Sequence, residues 1–142
     1  MSNLFICTKA DIEGDAAIIE IDSKSCLTLK DFYEVIAKKL YFPDYFGYNM
    51  DSLDELLNDL SWIEDPKLAI YFTHTEHFLI NERSEDKIMS LLDMLDAICE
   101  DWKWMEDDAE NADEEDYIPK KTLMFGFENG YRIDEILNNM TK

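Results

Sequence analysis

The sequence predicts a single α/β domain built on a parallel sheet. Short apolar runs bounded by turn residues, residues 17–21, 67–72 and 122–125, read as strands. Segments with apolar residues at helical spacing lie between them. Strands alternating with helices favour parallel pairing through right-handed crossovers. A chain of 142 residues fits one such domain, 1–142, with one hydrophobic core.

Residues 1–16 read as an N-terminal extension, in which Leu4–Thr8 fits a short strand and Glu13-Gly14-Asp15 a turn. After the strand at 17–21, Thr28 suits a helix N-cap, with Asp31 three residues on. Leu29, Phe32, Ile36 and Leu40 then follow at helical spacing. Pro43 and Gly47 break that pattern and define a loop. Asn49 suits the N-cap of the next helix. With Met50 at 0°, Leu53, Leu56, Leu57 and Leu60 fall between roughly 240° and 340° around its axis. Asp51, Asp54, Glu55, Asn58 and Asp59 fall between roughly 40° and 180° by the same rule. The helix has one leucine face and one acidic face.

Beyond the strand at 67–72, a short helix is expected around Glu76–Ile80. Ser84 suits the cap of a longer helix, with Glu85 and Asp86 at its positive end. Ile88, Leu91, Leu92, Leu95, Ile98, Cys99 and Trp102 form that helix's core stripe. Residues 106–116 hold eight acids and no basic residue, which reads as a solvated acidic insertion. The strand at 122–125 extends toward Phe127, Gly130 ends it, and Ile133–Met140 form a terminal helix.

Thirty-three acidic residues against 13 basic ones give a formal net charge of −20. Such a molecule repels nucleic acid and anionic membranes and attracts basic partners. The three cysteines, Cys7, Cys26 and Cys99, show neither disulfide nor metal spacing and read as reduced thiols. Leu4–Cys7 is too short for a signal-peptide core, and no apolar run approaches membrane-spanning length. The expected location is the cytoplasm.

Catalysis finds little support. His74 and His77 have a spacing that would put two imidazoles on one side of a helix. No further ligand follows in a matching pattern, so no metal and no cofactor is expected. Paired carboxylates doing acid/base work need a cleft and one raised pKa, whereas these acids lie on an exposed helix face. No nucleophile, nucleotide-binding or metalloprotease motif is present. The protein is expected not to be an enzyme.

The loop before the acidic helix points instead to recognition. Phe46 reads as core. Tyr45 and Tyr48, flanking Phe46-Gly47, carry polar tips that suit a recognition surface. Asp51 complements the helix dipole. Asp51 and Glu55 repel each other at a cost of about a few tenths of a kcal/mol, which a charge-neutralising complex would relieve.

Pro43-Asp-Tyr-Phe-Gly-Tyr-Asn-Met-Asp-Ser-Leu53 resembles the loop and second helix of the barstar family of intracellular ribonuclease inhibitors. The resemblance spans about residues 18–103 and resumes in the strand at 121–127. It implies three parallel strands packed against about four helices. It also implies that the second helix and its loop plug the active site of a basic ribonuclease, with a carboxylate in the place of an RNA phosphate. The partner-facing set is then Tyr45, Gly47, Tyr48, Asn49, Asp51, Asp54, Glu55 and Trp62, with Glu55 where the family has its dominant aspartate. Asp54 departs from the pattern, which has a tryptophan there, and two residues are inserted before Trp62. For an acid on the last long helix of the family, Asp93 and Asp96 remain alternatives. The implied role is an immunity-type inhibitor of a ribonuclease or related nuclease toxin, monomeric and bound one-to-one. The alternative is an acidic interaction module of the same fold with a basic partner that is not a nuclease.

Overall fold

The computed structural model describes residues 3–12, 16–104 and 121–140. The expected turn at Glu13-Gly14-Asp15 and the acidic stretch 106–116 lie outside the described residues. Along the chain the elements are β1 (Leu4–Ile6), α1 (Lys9–Ile12), β2 (Ala17–Asp22), α2 (Leu29–Lys39), α3 (Met50–Leu57), β3 (Lys67–Thr73), α4 (Glu85–Trp104), β4 (Thr122–Phe127) and α5 (Tyr131–Met140). Single 3-10 turns at Ser23–Ser25 and Thr75–His77 follow β2 and β3. The second stands where a short helix around Glu76–Ile80 was expected.

All four strands are parallel, in the order β1-β4-β3-β2. The α/β class and parallel sheet are as the sequence predicts, with one strand more than the three expected. The fourth, β1, has three residues, too few to show a period of two. Its place is set by distant partners: Leu4 lies opposite Phe125, and Cys7 N–H donates to Phe127 O at 3.0 Å. A short strand within Leu4–Thr8 is as the sequence suggests, whereas the four-residue α1 is not. Thr8 and Asp11 cap it reciprocally, Asp11 N–H to Thr8 Oγ1 and Thr8 N–H to Asp11 Oδ2.

In β3 the residues Leu68–Phe72 are buried in an unbroken run, as in a strand covered on both faces. Leu68, Ile70 and Phe72 join Leu123, Phe125 and Phe127 of β4 under α2, α3, α4 and α5. The rings of Phe72 and Phe127 stack at 5.0 Å, and Phe32 of α2 stacks on Phe72 at 6.1 Å. On the opposite face Ala69 and Tyr71 pack with Ile12 of α1. A Cβ at Gly126 would lie 2.9 Å from Ile12 Cδ1 and 3.1 Å from Tyr71 Cδ1, so glycine lets α1 close on the sheet.

The expected N-caps form. Thr28 Oγ1 accepts from Asp31 N–H at 3.2 Å, while Asp31 Oδ2 accepts from Leu27 N–H. Asn49 Oδ1 accepts from Ser52 N–H at 2.8 Å. The C-terminus of α2 closes in a left-handed turn without glycine. Phe42 N–H reaches back to Ala37 O at 2.9 Å, across Tyr41 at φ 54°.

Two expectations follow from this packing. A non-glycine residue in the left-handed region costs roughly 1–2 kcal/mol, and glycine loses up to about 1 kcal/mol more chain entropy on folding. The Tyr41 side chain is 81 % exposed and loses little burial on removal. Tyr41→Gly is therefore expected to raise stability in urea unfolding by up to about 1 kcal/mol; a clear loss would show that the ring supports the fold. Burial, with help from nearby carboxylates, pushes the thiols of Cys26 and Cys99 up to about 12. Cys7 is half-buried. Alkylation of the native chain near pH 8, followed by mass spectrometry, is expected to label Cys7 and to reach Cys26 and Cys99 only after unfolding.

Candidate functional site

The loop between α2 and α3 is built on Phe46, which is buried. Its ring packs edge-on against Phe42 at 4.9 Å and Tyr33 at 6.4 Å, and its N–H donates to Pro43 O. With Phe46 held inward, its neighbours Tyr45 and Tyr48 are exposed, 67 % and 54 %. The Tyr48 ring lies against Phe46 at 4.7 Å, and its backbone takes φ 52°.

Gly47 enters this loop for a reason of space. Its φ is ordinary, but a Cβ there would stand 2.9 Å from Asn49 Nδ2. That approach closes a small network. Gly47 N–H donates to Ser52 Oγ at 2.8 Å, Asn49 Nδ2 donates to Gly47 O at 3.1 Å, and Asn49 Oδ1 accepts from Ser52 N–H. Loop and helix start are thereby bonded to each other. Ser52 was not among the expected site residues. Its spacing of three from Asn49 is the only local sign of its part.

On α3 the two faces separate as the periodicity requires. Leu53, Leu56, Leu57 and the following Leu60 are at most 1 % exposed. Asp51, Asp54 and Glu55 are exposed. Asp54 is oriented by Asn58, whose Nδ2 donates to its Oδ1 at 2.9 Å. Among the described residues Asp51 and Glu55 have no hydrogen-bond or ion-pair partner. The segment 40–66 contains no Lys, Arg or His and seven carboxylates, so no neighbour along the chain can neutralise them.

Three donors in this region, from Lys121, Trp62 and Trp102, are directed at backbone. Lys121, buried at the head of β4, donates to Ile63 O and to Asp65 O. Burial lowers its pKa and Asp65 opposes the shift. Trp62 donates from Nε1 to Leu40 O at 2.8 Å and packs edge-on against Phe42, so its polar end is engaged within the fold. Trp102 does the same for α3, donating to Leu57 O at 2.8 Å. Sequence reasoning placed Trp102 in a core stripe and missed this bond, whose partners are 45 residues apart.

Of the two candidate acids on α4, Asp96 accepts from Asn3 Nδ2 at 3.0 Å. Asp93 is exposed, with no polar partner among the described residues. His74 and His77 turn to separate partners. His74 Nδ1 lies 3.0 Å from Asp22 Oδ1 and His77 Nε2 3.8 Å from Glu76 Oε1. Among the described residues no three His, Cys, Asp or Glu side chains are placed to hold a metal ion, and no helix is long and apolar enough to cross a membrane.

The site is thus a loop and helix start joined by hydrogen bonds, with two exposed tyrosines at its start and exposed carboxylates along it. A search of curated proteins finds no match. The family model for Barstar (barnase inhibitor) matches residues 16–116, well over half of the chain. It stops short of β4, which nonetheless lies between β1 and β3 in the sheet. With the α/β fold, the capped acidic helix and this match together, the chain belongs to the barstar family.

Proposed function

We propose that this protein binds and blocks a basic ribonuclease or related nuclease toxin, acting in the cytoplasm as one domain in a one-to-one complex. The observation that carries the reading is the pair of exposed carboxylates, Asp51 and Glu55, with no partner among the described residues. A side chain already neutralised within the fold would gain little from a cationic active site. Here the lysines and arginines that hold RNA phosphates supply what the protein withholds. Asp54, held by Asn58, adds a third acceptor where an aromatic would have added apolar contact. Tyr45 and Tyr48 contribute ring area and hydroxyls. Gly47 and Asn49 act indirectly by fixing the helix start, so that little ordering is left for the moment of binding. Trp62 supports the loop from behind through Phe42 and Leu40.

Inhibition of RNA cleavage by barnase, and by basic ribonucleases captured on the protein, tests the proposal. A saturable one-to-one block is expected for at least one of them, and undiminished RNA cleavage by every captured partner at saturating protein would refute it. Within that complex Glu55→Ala and Asp51→Ala should each weaken binding by about 2–5 kcal/mol, the range for buried charge pairs, which draws on barnase and barstar themselves. Neutralising acids within 106–116 should act mainly on the association rate and fade as salt rises.

A further inference from the structure

We infer that the protein carries a second docking groove, on the side formed by the start of α4 and by α5, and that it takes a basic protein segment with apolar anchor side chains. The groove encloses about 370 Å³. Ile80, Ile88, Met89 and Ile136 provide its apolar lining, and Glu76, Glu85 and Glu135 provide carboxylates. Ile80 is 49 % exposed and Tyr131, on the same lining, 86 %.

The exposure of Ile80 is imposed by the backbone. Leu79 sits at φ 53°, in the left-handed region that a leucine enters only at a cost. The conformation is held from both sides. Leu79 N–H donates to Cys26 O at 2.7 Å and Asn81 N–H to Leu27 O at 2.8 Å. Arg132 donates from Nε to Phe78 O and from Nη2 to Leu79 O. Leu79 thereby enters the core and Ile80 faces outward over the groove.

The charge of the lining selects the occupant. Among the described lining residues Arg132 is the one cation, and its donors face the two carbonyls. Glu85 and Glu135 lie near enough to act on the Arg132 charge, and Glu76 lies 3.8 Å from His77. Three carboxylates against one arginine still keep the lining net negative toward an incoming partner. A second copy of a chain with net charge −20 would be repelled. A segment that places leucine-like side chains on the isoleucines and lysines beside the glutamates satisfies both surfaces. The groove uses the first turns of α4, whereas α3 is tied to Trp102 near its last turn. Thirteen helical residues from Met89 to Trp102 correspond to roughly 20 Å, so one partner on α3 leaves room for another in the groove.

The test uses the full chain, labelled with ¹⁵N, and two capped peptides of equal charge, Lys-Lys-Leu-Leu-Lys-Lys and Lys-Lys-Ser-Ser-Lys-Lys. The leucine peptide is expected to shift the amide signals of Ile80, Met89 and Ile136 and to bind about tenfold tighter than the serine peptide. Ile80→Ser, at a half-exposed position, should abolish that difference, and Glu135→Lys should weaken both peptides. Equal binding of the two peptides, shifts confined to α3, or an unchanged preference in both variants would overturn the inference. None of these readouts depends on ribonuclease inhibition.

Discussion

Burial of one face of α3 is the constraint on which the rest of the surface depends. Each leucine taken from water contributes about 1.5–3 kcal/mol. Leu53, Leu56, Leu57 and Leu60 are all withdrawn from solvent. The opposing repulsion between acids one turn apart is about a few tenths of a kcal/mol per pair. The leucines therefore decide the orientation of the helix by a wide margin. The acids have no say in where they point, and with no basic residue in 40–66 they cannot be neutralised by their own segment.

The surroundings reinforce that outcome by leaving the carboxylates alone. Three nearby donors end on main-chain oxygens: Trp62 on Leu40, Trp102 on Leu57, and Lys121 on Ile63 and Asp65. Two of these close the C-terminal ends of helices, where carbonyls otherwise lack partners. Trp62 thereby holds the end of α2 and Trp102 the C-terminal end of α3. At the N-terminal end the contact among Gly47, Asn49 and Ser52 does the same for the loop.

Legibility followed distance along the chain. The caps Thr28 and Asn49, the two faces of α3 and the strands at 17–21, 67–72 and 122–125 were readable because each depends on residues a few positions apart. β1 was not readable as part of the sheet, since three residues carry no period and its partner lies about 120 positions on. The role of Gly47 was visible only as a break. The left-handed backbone in that loop falls on Tyr48, while the glycine serves a close approach that no sequence pattern announces. Trp62, grouped with the partner-facing residues by resemblance, has its indole N–H engaged with Leu40. Asp93 and Asp96, equal in sequence, are separated by Asn3, which binds only the second.

The position of β4 has a consequence for biogenesis. It is the last of the four described strands along the chain, yet it lies between β1 and β3 and completes the apolar layer beneath the helices. A chain ending at α4 would lack the strand that pairs with both the second edge of β3 and β1. Such an intermediate presents apolar residues and open backbone groups, the features that invite aggregation during synthesis. Parallel pairing across long separations is also slow to form. The acidic helix precedes β3 and β4 in the chain, so the sheet beneath it is complete only once Phe127 is in place.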